Sequence, residues 1–199
     1  MTRSTEDAPA TAKASTDVRE RILETASRLF YGHGVRAVGV DLVVAEAGIA
    51  KTSLYRHFPS KDDLVVAFLE REDAEFWAVW DAVSAGHRES AGDELDAQIG
   101  WIAERLTRPR YRGCPQINVA AEFAEADHPA RMVARRHKAE LRQRLDGLAL
   151  RLGARRPEML GAQLAVVING AFASAEMLAD RDPAEMLLEL VRALVRASV

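Results

Sequence analysis

The chain holds a single cysteine, Cys114, in 199 residues. No internal disulfide can form, and no cysteine-rich zinc site can be assembled. The five histidines do not make good that lack, because His128 and His137 lie nine residues apart and no metal-ligand spacing links the others. No metal and no cofactor are therefore expected. Long apolar runs are also missing. None approaches the roughly 18 residues that cross a bilayer, so no membrane partner is expected. The segment from Met1 to Thr16 has no apolar stretch of the signal-peptide kind and reads as a disordered arm. Together with the cysteine count, this suits a cytoplasmic location. Aromatics are few, at 6%. Charge of one sign is not in excess either, since the net value is -3. There are no internal repeats.

What is present is an ordinary globular composition, 48% hydrophobic and 29% charged, too apolar for disorder. The charge is unevenly placed. Residues 17–61 carry seven basic against five acidic side chains, and residues 62–199 carry a net -5. The asymmetry is mild and carries little alone.

Nearly every segment has apolar residues at helical spacing, and none has the alternation of a strand. The reading is all-α. Val18, Ile22, Ala26, Leu29 and Phe30 form one face of a first helix, ended by Gly32 and Gly34. A second short helix covers about Val40 to Glu46, with Leu42, Val43 and Ala47 inward, and Gly48 breaks it. A third runs from about Lys51 to His57, and Pro59 stops it. Ser60 and Asp63 have capping-box spacing at the start of a long fourth helix, whose stripe is Leu64, Val65, Phe68, Glu72, Phe76, Val79 and Val83. A fifth helix holds Leu95, Ile99, Ile102 and Leu106. Pro115, Pro129, Pro157 and Pro183 each suit a first helical turn and open four more. The seventh carries Met132, Leu141, Leu145 and Leu148.

Residues 40–58 carry the sharpest signal. A short helix, a glycine turn at Gly48 and a second short helix rich in donors make a helix-turn-helix. Ala45, Ile49, Leu54 and Phe58 are expected to pack inward. Lys51, Thr52, Ser53, Tyr55, Arg56 and His57 stay outside. That mixture suits a helix in the major groove: cations for guanine or phosphate, hydroxyls for adaptable hydrogen bonds, and a tyrosine for a phosphate oxygen.

The run from Ala47 to Leu64, Ala-Gly-Ile-Ala-Lys-Thr-Ser-Leu-Tyr-Arg-His-Phe-Pro-Ser-Lys-Asp-Asp-Leu, resembles the signature of the TetR family of transcriptional regulators. The likeness covers about residues 17–70 at motif level. It implies a fold of nine or so helices, with an N-terminal three-helix helix-turn-helix DNA-binding domain and a C-terminal helical ligand-binding and dimerisation domain. The division is expected as 17–61 and 62–199 after the arm at 1–16. Lys51, Thr52, Ser53 and Arg56 fall where such proteins read bases or adjoining phosphates, and Tyr55, His57 and Lys61 match phosphate contacts. Lys61 also opens a helix whose N-terminus favours anions. Two departures stand out. Ala50 occupies a position where the family often has a capping serine, and Val38 and Gly39 precede the second helix where threonine or serine is common. A lost cap costs ~1 kcal/mol.

The resemblance implies operator DNA, a small-molecule effector and a second copy of the chain as partners. Candidate pocket residues are Glu72, Phe76, Trp77, Trp80, Trp101, Cys114, Asn118, Glu122, Phe123, Asn169 and Phe172. They combine aromatic walls with a few polar groups, as small-molecule sites do, although aromatics at helical spacing are more often core residues. Cys114 precedes a helix N-terminus near Arg110 and Arg112, a setting that favours a thiolate. It is either a sensor or a structural thiol. The last two helices are the dimer candidates, through Leu160, Leu164, Ile168, Ala171, Ala175, Leu187, Leu190 and Leu194. Two rival classes remain on the residues alone. One is a helical adaptor that binds no specific DNA. The other is a small enzyme using Glu72, Glu122, His128 or Cys114, against which stands the lack of any nucleophile-base pattern.

Overall fold

The computed structural model describes residues 8–178 and 182–199, with side chains from 17 onward except at 178. Nine α-helices follow in order among them: α1 Ala8–His33, α2 Val40–Ala47, α3 Lys51–His57, α4 Lys61–Gly86, α5 Ala91–Leu106, α6 Pro115–Glu122, α7 Pro129–Arg151, α8 Pro157–Ala173 and α9 Pro183–Ser198. The fold class is all-α. A short 3₁₀ turn at Ala175–Leu178 was not anticipated. The arm expected over 1–16 falls partly on residues 1–7, outside the described ones. From Ala8 onward the backbone is already helical, in keeping with its alternating alanines and a proline in the first turn.

The local signals act as the residues dictate. Gly48 adopts φ 62° and ψ 44°, the left-handed conformation that ends α2 and that a side chain disfavours. The Ser60 hydroxyl accepts from the Asp63 amide, and the Asp63 carboxylate accepts from the Ser60 amide, closing a capping box. Neither Gly39 nor Ala50 supplies a side-chain cap to α2 or α3. Proline occupies the first turn of α6, α7, α8 and α9.

Two apolar cores result. The first joins Ile22, Leu29 and Phe30 of α1 with Val43, Leu54, Phe58, and Leu64, Phe68 and Leu69 of α4. Val119 of α6 and Ala130 and Val133 of α7 close it from the other side. The second holds Phe76, Trp80, Ile99, Ile102, Leu141, Leu145, Leu160, Leu164, Ile168 and Val191. Each buried large side chain of this kind contributes ~1.5–3 kcal/mol. Packing thus changes from one core to the other between Leu69 and Phe76, further along α4 than position 62. Some inward expectations fail at single positions. Leu42 (42% exposed), Val79 (41%) and Met132 (46%) face solvent, as does Ala45, while Leu69, Trp80 and Val133 take the buried places. For Val79 and Met132 the buried residue is the next one along the helix.

Candidate nucleic-acid interface and inner cavity

The helix-turn-helix is built as one hydrophobic wedge. Leu54 is fully buried and Phe58 nearly so. This turns the other faces of α3 outward: Lys51, Thr52, Tyr55 and Arg56 are exposed, and Ser53, His57 and Lys61 half-buried. The seven side chains expected to meet DNA therefore lie on α3 and the first residue of α4, around the buried Leu54. Lys51 reaches back to Asp41 of α2 at 2.7 Å, which raises its pKa. This exposed pair is weak, so a phosphate can replace the carboxylate at little cost. Arg28 pairs with Glu46 across α1 and α2, and the Arg19 guanidinium lies 5.0 Å from the centre of the Phe58 ring. Both contacts run between α1 and the helix-turn-helix.

The second site lies inside the larger core. A small cavity of about 10 Å³, room for about one water, is bounded by Glu72, Phe76, Arg105, Tyr111, Cys114, Pro115, Gln116, His137 and Phe172. Its polar groups are held by the fold. Trp77 donates to Asp73 Oδ1 at 2.8 Å, and His137 Nδ1 lies 2.6 Å from the same oxygen. Burial drives the His137 pKa down, against the opposing pull of Asp73. The Nδ1 position carries the proton that points to the carboxylate. Gln116 donates its amide to the Leu69 carbonyl at 2.9 Å. Burial pushes Glu72 up, and Glu75 adds to this while Arg105 and Arg71 oppose it. The Arg105 guanidinium lies 5.6 Å from the Phe76 ring centre and 5.4 Å from that of Trp101.

The cavity wall is hydrogen-bonded to the end of α1 and the loop that follows it. The segment 107–114 walls the cavity through Tyr111 and Cys114, and it turns back on itself at Gly113. There φ is 90°, and a Cβ would come within 3.3 Å of the Phe172 carbonyl. The Arg112 amide donates to the Tyr31 hydroxyl at 2.9 Å, and that hydroxyl donates to the Gly113 carbonyl at 3.2 Å. The Arg112 guanidinium donates to the Tyr31 and Gly32 carbonyls, which end α1 and would otherwise lack partners. At the far end of α6, the Glu122 carboxylate accepts from the amides of Val35 and Arg36 at 3.0 and 2.7 Å. The Arg36 side chain donates to the Glu122 carbonyl. The wall of the cavity is thereby tied to the loop between α1 and α2.

The structure sorts the expected pocket residues. Glu72, Phe76, Cys114 and Phe172 line the cavity. Asn118 and Glu122 line a separate recess against α1. Trp80 and Trp101 are buried behind Phe76, and Trp77 turns to Asp73 and Arg144. Phe123 stacks on His128, and Asn169 accepts from Lys138. These five serve packing and bonding instead. Cys114 is buried, with the Lys138 ammonium 3.5 Å from its sulfur. Arg112 is directed to α1, away from the thiol. Arg105, Tyr111, Gln116 and His137 were missed. His137 sits four residues before Leu141 on the buried stripe of α7, and a histidine at an inward position was the available signal.

The dimer candidates divide between two environments. Leu160, Leu164, Ile168, Ala171 and Leu187 are covered by their own chain. Gly161 lies against Asp146 of α7 within the chain, where a Cβ would fall 2.8 Å from the Asp146 amide nitrogen. Ala175, Leu190 and Leu194 keep exposed surface. The outward face of α8 is Met159, Val166, Gly170 and Ala173, continued by Met177.

An all-α body carrying a helix-turn-helix, with its donors on the open face, is the build of a DNA-binding regulator. Comparison with known proteins gives the same class. The family model for bacterial regulatory proteins of the tetR family matches residues 22–68. SCO4454, a TetR-family transcriptional regulator from Streptomyces coelicolor, has 30% identity and a TM-score of 0.85, over 92% of this chain and 96% of that one. The TetR transcriptional regulator sav143 from Streptomyces avermitilis has 32% identity and a TM-score of 0.81, over 91% and 97%. The HTH-type transcriptional regulator YxaF of Bacillus subtilis is 49% identical over 51 residues, which are 25% of this chain and 27% of YxaF. The match thus spans about a quarter of that relative's length. The chain belongs to the TetR family of transcriptional regulators.

Proposed function

We propose that the protein is a ligand-released repressor, acting in the cytoplasm as a homodimer on a near-palindromic operator. In this reading residues 17–61 form the DNA-binding head and 62–199 the ligand-binding and dimerisation body, with α4 continuous between them. Lys51, Thr52, Ser53 and Arg56 contact bases and nearby phosphates, and Tyr55, His57 and Lys61 hold the backbone. The outward stripe of α8, with Leu190 and Leu194 of α9, meets its copy about a two-fold axis. Two recognition helices then lie in successive major grooves about 34–36 Å apart.

The observation that carries the release step is the bonding of the cavity wall to the head. Tyr111, Cys114 and Gln116 border the cavity, and Arg112, Gly113 and Glu122 of the same stretch bond Tyr31, Gly32, Val35 and Arg36. A molecule that binds against this wall pushes the stretch and, through it, the end of α1. It favours release only by the difference in its affinity for the two head positions.

Fluorescence anisotropy on duplexes tiling the chain's own upstream region tests the reading. The expected result is saturable binding to one near-palindromic tile, lost in Arg56→Ala, with log affinity falling against log salt by ~0.9 per phosphate contact. Weak binding, equal on all tiles and unchanged by Arg56→Ala, would count for the adaptor class.

A further inference from the structure

We propose that the open recess beside the inner cavity binds a small zwitterion of the amino-acid class, with an ammonium group, a carboxylate and an apolar side group. The inference rests on the reading that a small molecule works the head through the 107–114 segment. It adds where that molecule sits and what chemistry it carries.

Size selects the place. The inner cavity, at about 10 Å³, has room for about one water. The recess outside it offers about 230 Å³, the scale of a small organic molecule. It lies between Tyr31 of α1, Glu72 and Glu75 of α4, Arg105 of α5 and the segment 108–111. Glu72, Arg105 and Tyr111 border both spaces. An occupant of the recess therefore bears on the same wall as the cavity. It also meets Tyr31, whose hydroxyl is bonded to Arg112 and Gly113.

Charge selects the chemistry. Of the charged side chains in the lining, two are engaged by their own chain, Glu75 by Arg71 at 3.1 Å and Arg108 by Glu104 at 3.6 Å. Glu72, Arg105 and Arg110 have no ion pair among the described residues. Glu72 and Arg105 are half-buried, where a charge without a counter-ion is costly. They belong to different helices, and the chain does not pair them with each other. The Arg105 guanidinium is instead held 5.6 Å from the Phe76 ring centre and 5.4 Å from that of Trp101. A simple anion is attracted to Arg105 and repelled by Glu72, and a simple cation meets the reverse. One molecule that carries both charges meets each with its opposite. Arg110 is exposed and held at φ 63°, a conformation that a side chain disfavours. It adds a second unpaired guanidinium to the same rim. The rest of the lining is Tyr31, Pro109 and Tyr111. With the Tyr31 hydroxyl already spent on its own chain, the ring is what remains for the occupant, and the matching side group is apolar.

Titration calorimetry of the full chain at neutral pH, with three probes on one scaffold, tests this. The probes are L-phenylalanine, 3-phenylpropionate, which lacks the ammonium, and 2-phenylethylammonium, which lacks the carboxylate. Phenylalanine is expected to bind saturably and roughly tenfold more tightly than either of the others, the size of one hydrogen bond to a charged group. Glu72→Gln keeps the volume. It should bring phenylalanine down to the level of phenylpropionate without weakening phenylpropionate itself. Arg110→Gly changes an exposed residue at a positive φ that glycine accepts, so the fold is kept. It should weaken both carboxylate-bearing probes roughly threefold and spare the amine. Equal or tighter binding of either single ion overturns the proposal. So does a lack of binding by all three, or phenylalanine binding that neither substitution alters. Operator anisotropy is read separately. Phenylalanine that binds as expected yet leaves operator affinity unchanged would overturn the effector reading and leave the ligand class standing.

Discussion

Glu122→Gln probes the link between cavity wall and head with almost no change of volume. The wild-type carboxylate takes one amide on each oxygen, Val35 at 3.0 Å and Arg36 at 2.7 Å. Val35 is 2% exposed, so glutamine will turn its carbonyl there and its NH2 toward the exposed Arg36 amide, which turns to water. Hydrogen bonds to a charged group contribute ~1.5–3 kcal/mol and neutral ones ~0.5–1.5. The kept bond therefore loses about 1 kcal/mol, and the lost one, discounted for exposure, about another. A total near 2 kcal/mol shifts the urea midpoint by about 1 M at a slope near 2 kcal/mol/M. Exchange of the Val35 and Arg36 amides should quicken by the same free energy. Weakening the tie should also lower the effect of any ligand bound against the wall on operator affinity. An unchanged midpoint with unchanged Val35 protection would refute the reasoning, because the carboxylate would then not be what holds the loop.

Three further outcomes follow from other parts of the fold. Gly161→Ala places a methyl 2.8 Å from the Asp146 amide nitrogen and 3.0 Å from its Cα. Backbone must move there, so a loss of ~1–3 kcal/mol is expected in thermal melts. Val166→Glu alters a side chain that is 71% exposed. It should leave circular dichroism unchanged and turn the proposed dimer to monomer in sedimentation velocity, and a variant that remained dimeric would move the interface off α8. Burial lowers the His137 pKa. As pH falls below about 6.5 the unfolded chain takes up that proton before the folded one does. Stability should therefore drop through this window, by at most ~1.4 kcal/mol per pH unit, and His137→Gln should flatten that part of the pH dependence in urea titrations.

Much of this protein was written locally. The order of the nine helices, their proline openings and the Ser60–Asp63 capping box depend on neighbours within a turn or two, so residue type and spacing suffice to state them. The helix-turn-helix is equally local. Its reading face follows from Leu54 and Phe58 being apolar among donors, and the run from Ala47 to Leu64 is continuous in the chain.

The cavity and the link were decided only by the tertiary structure. His137 meets Asp73 across 64 positions, and Glu122 meets Val35 and Arg36 across 87 and 86. Helical periodicity says that a side chain faces inward, and it is silent about which helix stands opposite. For the same reason Trp80 and Trp101 read as pocket walls when they are core. On α8 the two apolar faces looked alike in sequence, and only the placement of α7 showed that Leu160, Leu164 and Ile168 are spent inside the chain while Met159 and Val166 remain outside. Sequence alone determined that this is a helical DNA-binding regulator, because that depends on contiguous residues. The tertiary structure decided which side chains border the cavity and which bonds run from its wall to the end of α1, because both depend on groups that meet only after the helices have packed.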